Sequence, residues 1–486
     1  TVIFIKINYV YMKRILFCLI LFWIFLIQSQ EEDLPELGDT SSSAISVASE
    51  FNLGRLYMAQ IRGSIPEFSD PIIQDYTEHL IYRLAEFSQL KDRRLEVALI
   101  DEKTINAFAA PGGVIGINAG LIYHSNEEGQ FASVLSHELA HLSQRHFARR
   151  LQRQKDRSLA NALMIIASIA VAAATSPEAI LAGQQAILQQ SLSYSRGNEQ
   201  EADRIGFITL TSAGYDPESM AKMFEKLQSL SRLSGTNELE FLRSHPLTKK
   251  RISDARVRAN EIKGRNFKNS LNYDLVRQRT IVHFSKIPRQ AVSQFSQDLD
   301  RSKSKRQEVV AQYGLSLALS KNKEHEKALD LAKKNLQVYE ESLILQMGLV
   351  EVQMNAGNNL EAKTLVESFL NISPGNYPLL MLYSKILLQN SEFEKSEELL
   401  KKLSIKRSTD PQIWYWLAEV QGLGKNIIGL HQSRAEYFFL TGNYDQSIKH
   451  LRWALEISGN NFQLSETIYN KIERAHEAKE SLKQFS

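Results

Sequence analysis

The C-terminal part of this chain repeats a pair of helices, and the repeat restricts its fold more than any other feature. Turn-forming pairs stand at Asn322-Lys323, Gly357-Asn358, Asn390-Ser391 and Gly424-Lys425, so that they follow one another at 35, 33 and 34 residues. Small or apolar residues precede each pair, and a second helical stretch follows it. A unit of this length cannot bury its apolar face alone, so neighbouring units must stack into an elongated array.

The period is that of tetratricopeptide helix pairs, which predicts an all-α solenoid of four or five repeats over residues 306–486. A further turn at Gly442-Asn443 interrupts the spacing and predicts a shortened helix or an irregular last repeat. An array of this kind carries no catalytic groups of its own. Its expected role is therefore to bind protein.

A second feature, His137-Glu138-Leu139-Ala140-His141, is an H-E-x-x-H motif inside a helix predicted over residues 127–150. The two histidines lie one turn apart, so they project from the same face and can bind one zinc ion. Glu138 then lies beside the open coordination position, where it can take a proton from water. The alternative interpretation is two surface histidines on an ordinary helix.

A zinc site of this type needs a third protein ligand, usually a carboxylate on a second helix. Glu199 and Asp203 are one helical turn apart, so they share a face. Glu199 is the expected ligand, and Asp203 is expected either to accept the outer N–H of a ligating histidine or to help protonate a leaving group. Glu201 is the alternative ligand, although it points elsewhere on the helix. Without the upstream motif, the same cluster would indicate a solvated acidic helix start.

These motifs together resemble those of the M48 zinc metallopeptidases. Asn106-Ala107-Phe108-Ala109, Pro111-Gly112-Gly113 and Gly120-Leu121 are similar to that family's strand ahead of the active-site helix. The resemblance, taken with the repeats, implies a periplasmic protease of Gram-negative bacteria. It implies misassembled or stalled outer-membrane β-barrel proteins as substrates, and the barrel-assembly machinery as a partner of the repeats.

The resemblance also implies the roles of the site residues. It makes His137, His141 and Glu199 the ligands of one Zn²⁺ per chain, Glu138 the catalytic base, and Asp203 a supporting or proton-donating residue.

His245 precedes Pro246 in a predicted loop. The residues alone favour a structural or exposed histidine there, whereas the resemblance implies a fourth ligand that displaces the catalytic water and holds the enzyme inactive. His146, five residues after His141, is predicted to face away from the metal and to lack a matching partner.

The chain length suggests two domains. We expect a helix-rich α+β peptidase domain of gluzincin type with a small sheet in residues 45–265, a polar connector with one helical piece in 266–305, and the repeats in 306–486. In such peptidases an edge strand pairs with extended substrate. Residues 115–119 are the predicted edge strand, with a plain core strand as the alternative.

The N-terminus has the pattern of a secretion signal. Lys13 and Arg14 precede an apolar run over residues 15–27, which predicts a signal peptide at 1–30, with 1–11 as candidate upstream sequence before Met12. A retained anchor, giving an intracellular membrane-anchored protease, is the alternative. The one cysteine, Cys18, lies in this run, so the processed chain would have neither disulfides nor thiol catalysis.

Charge and one apolar segment complete the expectations. The formal net charge is +3, and residues 1–30 contain three basic residues and no acids, so processing leaves a neutral chain without general attraction to nucleic acid. Residues 160–175 are almost entirely apolar. They are interpreted as a core hairpin, a peripheral membrane contact or a lid over the zinc cleft. The competing function is a chaperone or assembly scaffold whose zinc site is latent.

Overall fold

The computed structural model describes residues 46–153, 194–233, 240–262, 267 and 269–483. The predicted signal peptide and the apolar segment 160–175 lie outside these residues. Within the described part, no helix combines the length and apolarity needed to cross a bilayer. A helix-rich α+β region with a small sheet precedes an all-α array, which confirms the predicted fold class.

The first region is built from nine helices and three strands among the described residues. In chain order these are α1 (Val47–Ser64), α2 (Pro71–Glu86), β1 (Glu96–Ile100), β2 (Ala107–Ala110), β3 (Val114–Asn118), α3 (Ala119–His124), α4 (Glu128–Ser143), α5 (His146–Arg153), α6 (Arg196–Ser212), α7 (Glu218–Leu233), α8 (Glu240–Ser244) and α9 (Lys249–Glu261). Polar residues cap several of the helices. Asp70, for example, accepts the backbone N–H groups of Ile72 and Ile73 at the start of α2.

The three strands form one sheet in the order β1-β3-β2. β1 runs parallel to β3, and β2 runs antiparallel to it after a tight turn in which Gly112 and Gly113 have φ angles of 69° and 79°. β3 is therefore bonded on both sides, so the prediction that residues 115–119 form a substrate-binding edge was wrong. The edges of the described sheet are β1 and β2.

The helix that carries the H-E-x-x-H motif is shorter than predicted. α4 ends at Ser143 rather than at residue 150, and Arg145 takes a left-handed conformation with φ 48° before α5 begins at His146. This conformation costs a non-glycine residue about 1–2 kcal/mol. Arg145 Nη2 donates to Glu50 Oε2 of α1 at 3.1 Å, which helps to hold it. The break turns the chain so that His146 lies back beside α4.

The connector contributes two helices, α10 (Leu271–Phe284) and α11 (Pro288–Asp300), rather than the single helical piece that was expected. Tyr273 of α10 is fully buried against the first region. Its hydroxyl donates to the Ser125 carbonyl at 3.0 Å, and its ring stacks on Phe131 with centroids 6.1 Å apart. Part of the connector thus belongs to the core of the peptidase region.

Among the described residues, ten helices follow as five pairs. They are α12 (Lys305–Lys321), α13 (His325–Val338), α14 (Leu343–Asn355), α15 (Asn359–Ile372), α16 (Tyr377–Gln389), α17 (Phe393–Lys406), α18 (Pro411–Leu423), α19 (Ile427–Leu440), α20 (Tyr444–Ile457) and α21 (Phe462–Lys483). The turns inside the first four pairs contain a left-handed residue at Lys323, Gly357, Ser391 and Lys425, a spacing of 34 residues each time. The helix pairs and their period confirm the tetratricopeptide interpretation.

The turn at Gly442 does not shorten a helix. α19 has 14 residues, as do α13, α15 and α17, the second helices of the earlier pairs. Gly442, with φ 71°, lies in the loop between the fourth and fifth pairs, and Gly459 lies in the turn inside the fifth. The 34-residue period therefore continues to the last pair, so the predicted shortened helix was wrong. The last pair differs from the others in its second helix, since α21 has 22 residues.

The array is docked on the peptidase region. Arg279 of α10 donates to Asp70 at 2.7 Å and to both oxygens of Glu351 in the array at 2.6 Å. Arg407 of the array donates to both oxygens of Glu78 at 2.7 and 2.8 Å. Part of the surface of the repeats is therefore buried within the chain itself.

Candidate metal centre

The H-E-x-x-H helix supplies the first two candidate ligands. His137 and His141 project from one face of α4, and their Nε2 atoms lie 3.0 Å apart. Both residues are 2 % exposed, so the motif lies inside the protein and not on an exposed helix surface.

α6 crosses α4 closely enough to bring in a carboxylate. A Cβ atom on Gly206 would lie 3.0 Å from the His137 Cα, so glycine is needed where the two backbones approach. Ala140, Ala202 and Ile205 fill the remaining contact with small and branched side chains. This approach places Glu199 Oε1 3.4 Å from His141 Nε2 and Glu199 Oε2 3.5 Å from His137 Nε2.

Glu201 takes a different direction from the same helix. Its Oε2 lies 3.1 Å from His146 Nε2 and 3.3 Å from Arg149 Nη1. Glu199 therefore lies among the histidines of the motif, whereas Glu201 lies behind them. The expectation that His146 has no matching partner was wrong, because its Nδ1 lies 2.9 Å from His141 Nδ1 and its other nitrogen meets Glu201.

His245 completes a group of four. Its Nδ1 lies 3.1 Å from Glu199 Oε1 and 3.3 Å from His137 Nε2, and its ring stacks on Phe241. One ligand atom from each of His137, His141, Glu199 and His245 lies within 4.8 Å of the others. His245 is thus neither exposed nor remote, since it is fully buried within the cluster.

Asp203 and Arg251 form a layer behind the cluster. Asp203 Oδ1 lies 3.0 Å from His137 Nδ1, the ring nitrogen that points away from the other histidines. Arg251 of α9 donates to both oxygens of Asp203 at 2.6 and 2.7 Å, and its Nη1 lies 2.7 Å from Glu199 Oε2. The same nitrogen donates to the Pro246 carbonyl at 3.0 Å, which holds the loop that carries His245.

The pKa values of the cluster residues shift in different directions, and burial brings the pKa of His141 well below its usual value. Burial alone would lower the pKa of His137, but Asp203 and Glu199 raise it to about 9. Burial acts to raise the pKa of Glu199, yet His245, His137 and His141 bring it well below its usual value. Imidazole nitrogens and an ionised carboxylate are ligands that suit zinc and related divalent ions.

Glu138 lies next to the four-residue group with its oxygens unsatisfied. Both carboxylate oxygens and Nε2 of His245 are buried without a hydrogen-bond partner among the described residues. His245 Nε2 lies 3.4 Å from Glu138 Oε1. Burial raises the pKa of Glu138. A buried carboxylate with free acceptor capacity is suited to receive a proton, so the residues present fit a metal-assisted hydrolytic site.

The β2 edge of the sheet lies beside this site. The Tyr194 hydroxyl donates to the Ala109 carbonyl of β2 at 3.2 Å, and its ring stacks on His141 with centroids 3.9 Å apart. Tyr194 thus joins the edge strand to the histidine cluster.

The sequence motifs identified the members of the inner group but missed their support. Arg251 follows two lysines at the start of a helix, and nothing in that run distinguishes it from its neighbours. Gly206 and Tyr194 likewise had no motif to mark them. Each acts through a contact between elements that are distant in sequence.

Comparison with known proteins agrees with this geometry. The model of Peptidase family M48 matches residues 71–259. The chain is 30 % identical over 427 residues to the Beta-barrel assembly-enhancing protease of Escherichia coli K12, covering 86 % of each chain. It is 28 % identical to the Putative beta-barrel assembly-enhancing protease of Vibrio cholerae, covering 87 % of this chain and 88 % of that one. It is also 33 % identical to the Mitochondrial metalloendopeptidase OMA1 of Arabidopsis thaliana, over 34 % of this chain and 32 % of that one.

Proposed function

Because this chain belongs to the family of the beta-barrel assembly-enhancing proteases within peptidase family M48, we propose that it is a zinc-dependent endopeptidase of the bacterial periplasm. Its proposed substrates are misassembled or stalled outer-membrane β-barrel proteins. The family makes the chain a metallopeptidase. Zinc as the metal, one ion per chain, and the periplasmic location are our proposals.

One observation carries the proposal. Three histidines and a carboxylate converge within 4.8 Å in the protein interior, beside a glutamate whose two oxygens lack hydrogen-bond partners among the described residues. Burying the Glu138 carboxylate and His245 Nε2 without partners would be costly, which argues that this side of the cluster serves a reacting water beside a bound cation. We assign His137, His141 and Glu199 as zinc ligands.

The chain's own residues divide the hydrolytic work. Zinc, when bound, would polarise the scissile carbonyl and increase the acidity of water. We propose that Glu138 takes the proton of the attacking water at its carboxylate oxygens and passes it to the leaving amine. Its raised pKa, which burial causes, helps it to hold that proton between the two steps.

Asp203 is better suited to position His137 than to donate a proton. Burial acts to raise the pKa of its carboxyl, but contacts with His137 and Arg251 bring it below its usual value, so the carboxyl remains ionised. An ionised carboxylate on the outer nitrogen of a ligating histidine fixes the tautomer and the ring orientation. Of the two roles expected for Asp203, we therefore propose the positioning role.

We propose that an extended substrate pairs with the β2 edge. β2 is a free edge of the described sheet, and its Ala109 carbonyl lies within hydrogen-bond reach of a residue stacked on His141. Pairing by β-addition would align the scissile bond with Glu138. Tyr194 holds that carbonyl in this structure, so a substrate strand must displace its hydroxyl.

His245 supports a latent state of the enzyme. Its Nδ1 already lies with the other ligand atoms, and a fourth protein ligand would exclude the water that the reaction consumes. The same contact favours the second candidate function, a chaperone or assembly scaffold whose zinc site is silent. We propose that the two functions coexist, with the repeats binding protein partners that include the barrel-assembly machinery. A peripheral membrane contact through residues 160–175 remains a proposal outside the described residues.

The two candidate functions can be separated with the full processed chain. We expect wild-type protein to cleave an unfolded outer-membrane protein slowly, His245→Ala to cleave it faster, and Glu138→Gln not to cleave it while still supporting assembly in cells. Glu225→Gln, which changes an exposed glutamate, serves as the matched control. If neither the wild type nor His245→Ala cleaves the substrate, although both are folded and bind zinc, the protease function is refuted and the scaffold function remains.

A further inference from the structure

His141 has a contact that the metal cluster does not use. Its Nε2 points to His137 and Glu199, while its Nδ1 lies 2.9 Å from Nδ1 of His146. His146 is fully buried, so this contact lies in the protein interior. A buried imidazole must satisfy both ring nitrogens, so each of its neighbours constrains its tautomer.

The contact continues outward through a carboxylate. His146 Nε2 lies 3.1 Å from Glu201 Oε2, and Glu201 in turn accepts from Arg149 Nη1 at 3.3 Å. The ionised carboxylate of Glu201 can only accept a hydrogen bond. His146 therefore carries its proton on Nε2 and leaves Nδ1 as an acceptor. The proton between the two histidines therefore belongs to His141 Nδ1, and His141 Nε2 keeps a free lone pair directed at the cluster.

The backbone is arranged to make this contact. Arg145 is held left-handed, at φ 48°, and this turn returns His146 to the side of α4. On its ring face, His141 is covered by Tyr194, with centroids 3.9 Å apart. His141 is thus fixed by one residue that sets its tautomer and by another that sets its plane.

We propose that His146 and Glu201 form a positioning relay that holds His141 in the tautomer required for zinc binding at Nε2. The inference rests on the proposed zinc site and adds two residues to it. Asp203 positions His137 by direct contact with its ring, whereas Glu201 acts on His141 through the intervening imidazole of His146. Partners of this kind typically change metal affinity by 10–100-fold.

The test measures the zinc dissociation constant of the full chain by competition with a chelator at fixed pH. We expect His146→Ala to bind zinc 10–100-fold more weakly than wild type. His146→Asn should recover part of the loss, since its amide oxygen can accept from His141. Glu201→Ala, which removes the acceptor of His146 Nε2, should weaken binding in the same direction, and the double variant should bind no more weakly than His146→Ala, because both changes break one relay.

Matched controls are available on exposed sites. His79, whose side chain is 78 % exposed, and Glu218, whose side chain is 62 % exposed, are each replaced by alanine, and both variants should bind zinc as wild type does. If His146→Ala fails to fold, Glu201→Ala decides the question, because Glu201 lies partly at the surface.

The outcomes distinguish this inference from the proposed function. Unchanged zinc affinity in folded His146→Ala or, failing that, in Glu201→Ala would overturn the relay and leave the zinc site intact. Fully additive losses in the double variant would also overturn it. A folded wild-type chain that binds no zinc would refute the proposed function, and the relay with it.

Discussion

We expect the loss of Arg251 to lower the free energy of unfolding of the peptidase region. It is 3 % exposed and makes two hydrogen bonds to Asp203, one ion pair to Glu199 and one hydrogen bond to the Pro246 carbonyl. Arg251→Met keeps an apolar stem of similar length but removes the charge. Two buried carboxylates would then lose their common cation.

The expected loss follows from two estimates that agree. Removing one partner of a buried ion pair costs roughly 3–5 kcal/mol. The protein can limit the loss by protonating one abandoned carboxyl, which at pH 7 costs about 4 kcal/mol for a group of ordinary pKa. For a region of this size, such a loss lowers the melting temperature by about 10 °C.

The assay is differential scanning calorimetry of the zinc-free full chain. Arg256→Met is the matched control, because Arg256 lies on the same helix and pairs with Glu225 while 62 % of its side chain is exposed. That exposed pair is worth at most about 1 kcal/mol, which corresponds to a shift of about 4 °C or less. A melting temperature of Arg251→Met equal to that of Arg256→Met would refute the reasoning.

Three further predictions follow from the same structure. Gly206→Ala should weaken zinc binding, measured by chelator competition, because the added Cβ forces α6 away from α4. Gly375→Ala is the control, since its Cβ would meet no atom within 4 Å and zinc affinity should stay unchanged. Equal zinc affinities of the two variants would contradict the close-approach argument. Burial, together with Lys226 and Lys103, lowers the pKa of His124 to about 4, so the unfolded chain binds this proton first and stability is lost as pH falls from about 6.5 to 4. His124→Gln should therefore flatten the fall in melting temperature over that window, and an unchanged slope would contradict the assignment. Removal of zinc by a chelator should lower the melting temperature, since free zinc at 100 times its dissociation constant stabilises the folded chain by about 2.7 kcal/mol. Identical melting curves with and without zinc would count against a native metal site.

The sequence predicted the parts of the site that follow from helix geometry. His137 and His141 share a face because four residues make about one turn, and Glu199 shares a face with Asp203 for the same reason. The same rule directs Glu201 away from Glu199, as the structure shows. Local periodicity also located the repeats, because each repeat is stabilised by its neighbours in the chain.

The features that were missed depend on contacts between distant segments. The order of the strands does not follow from the alternation within each strand, so β3 was taken for an edge although β2 lies there. The break at Arg145 has no glycine, proline or asparagine to signal it, and its contact with Glu50 lies between segments distant in sequence. His146 was placed by counting residues along an unbroken helix, and the break made that count invalid.

A zinc titration of the full chain tests the central claim most directly. We expect the wild type to bind one zinc per chain, and Glu199→Gln, which keeps the side-chain shape but removes the charge, to lose that binding while remaining folded. Glu225→Gln, at an exposed position, should bind as wild type does. A folded wild-type chain that takes up no zinc, or a Glu199→Gln variant with wild-type affinity, would contradict the account.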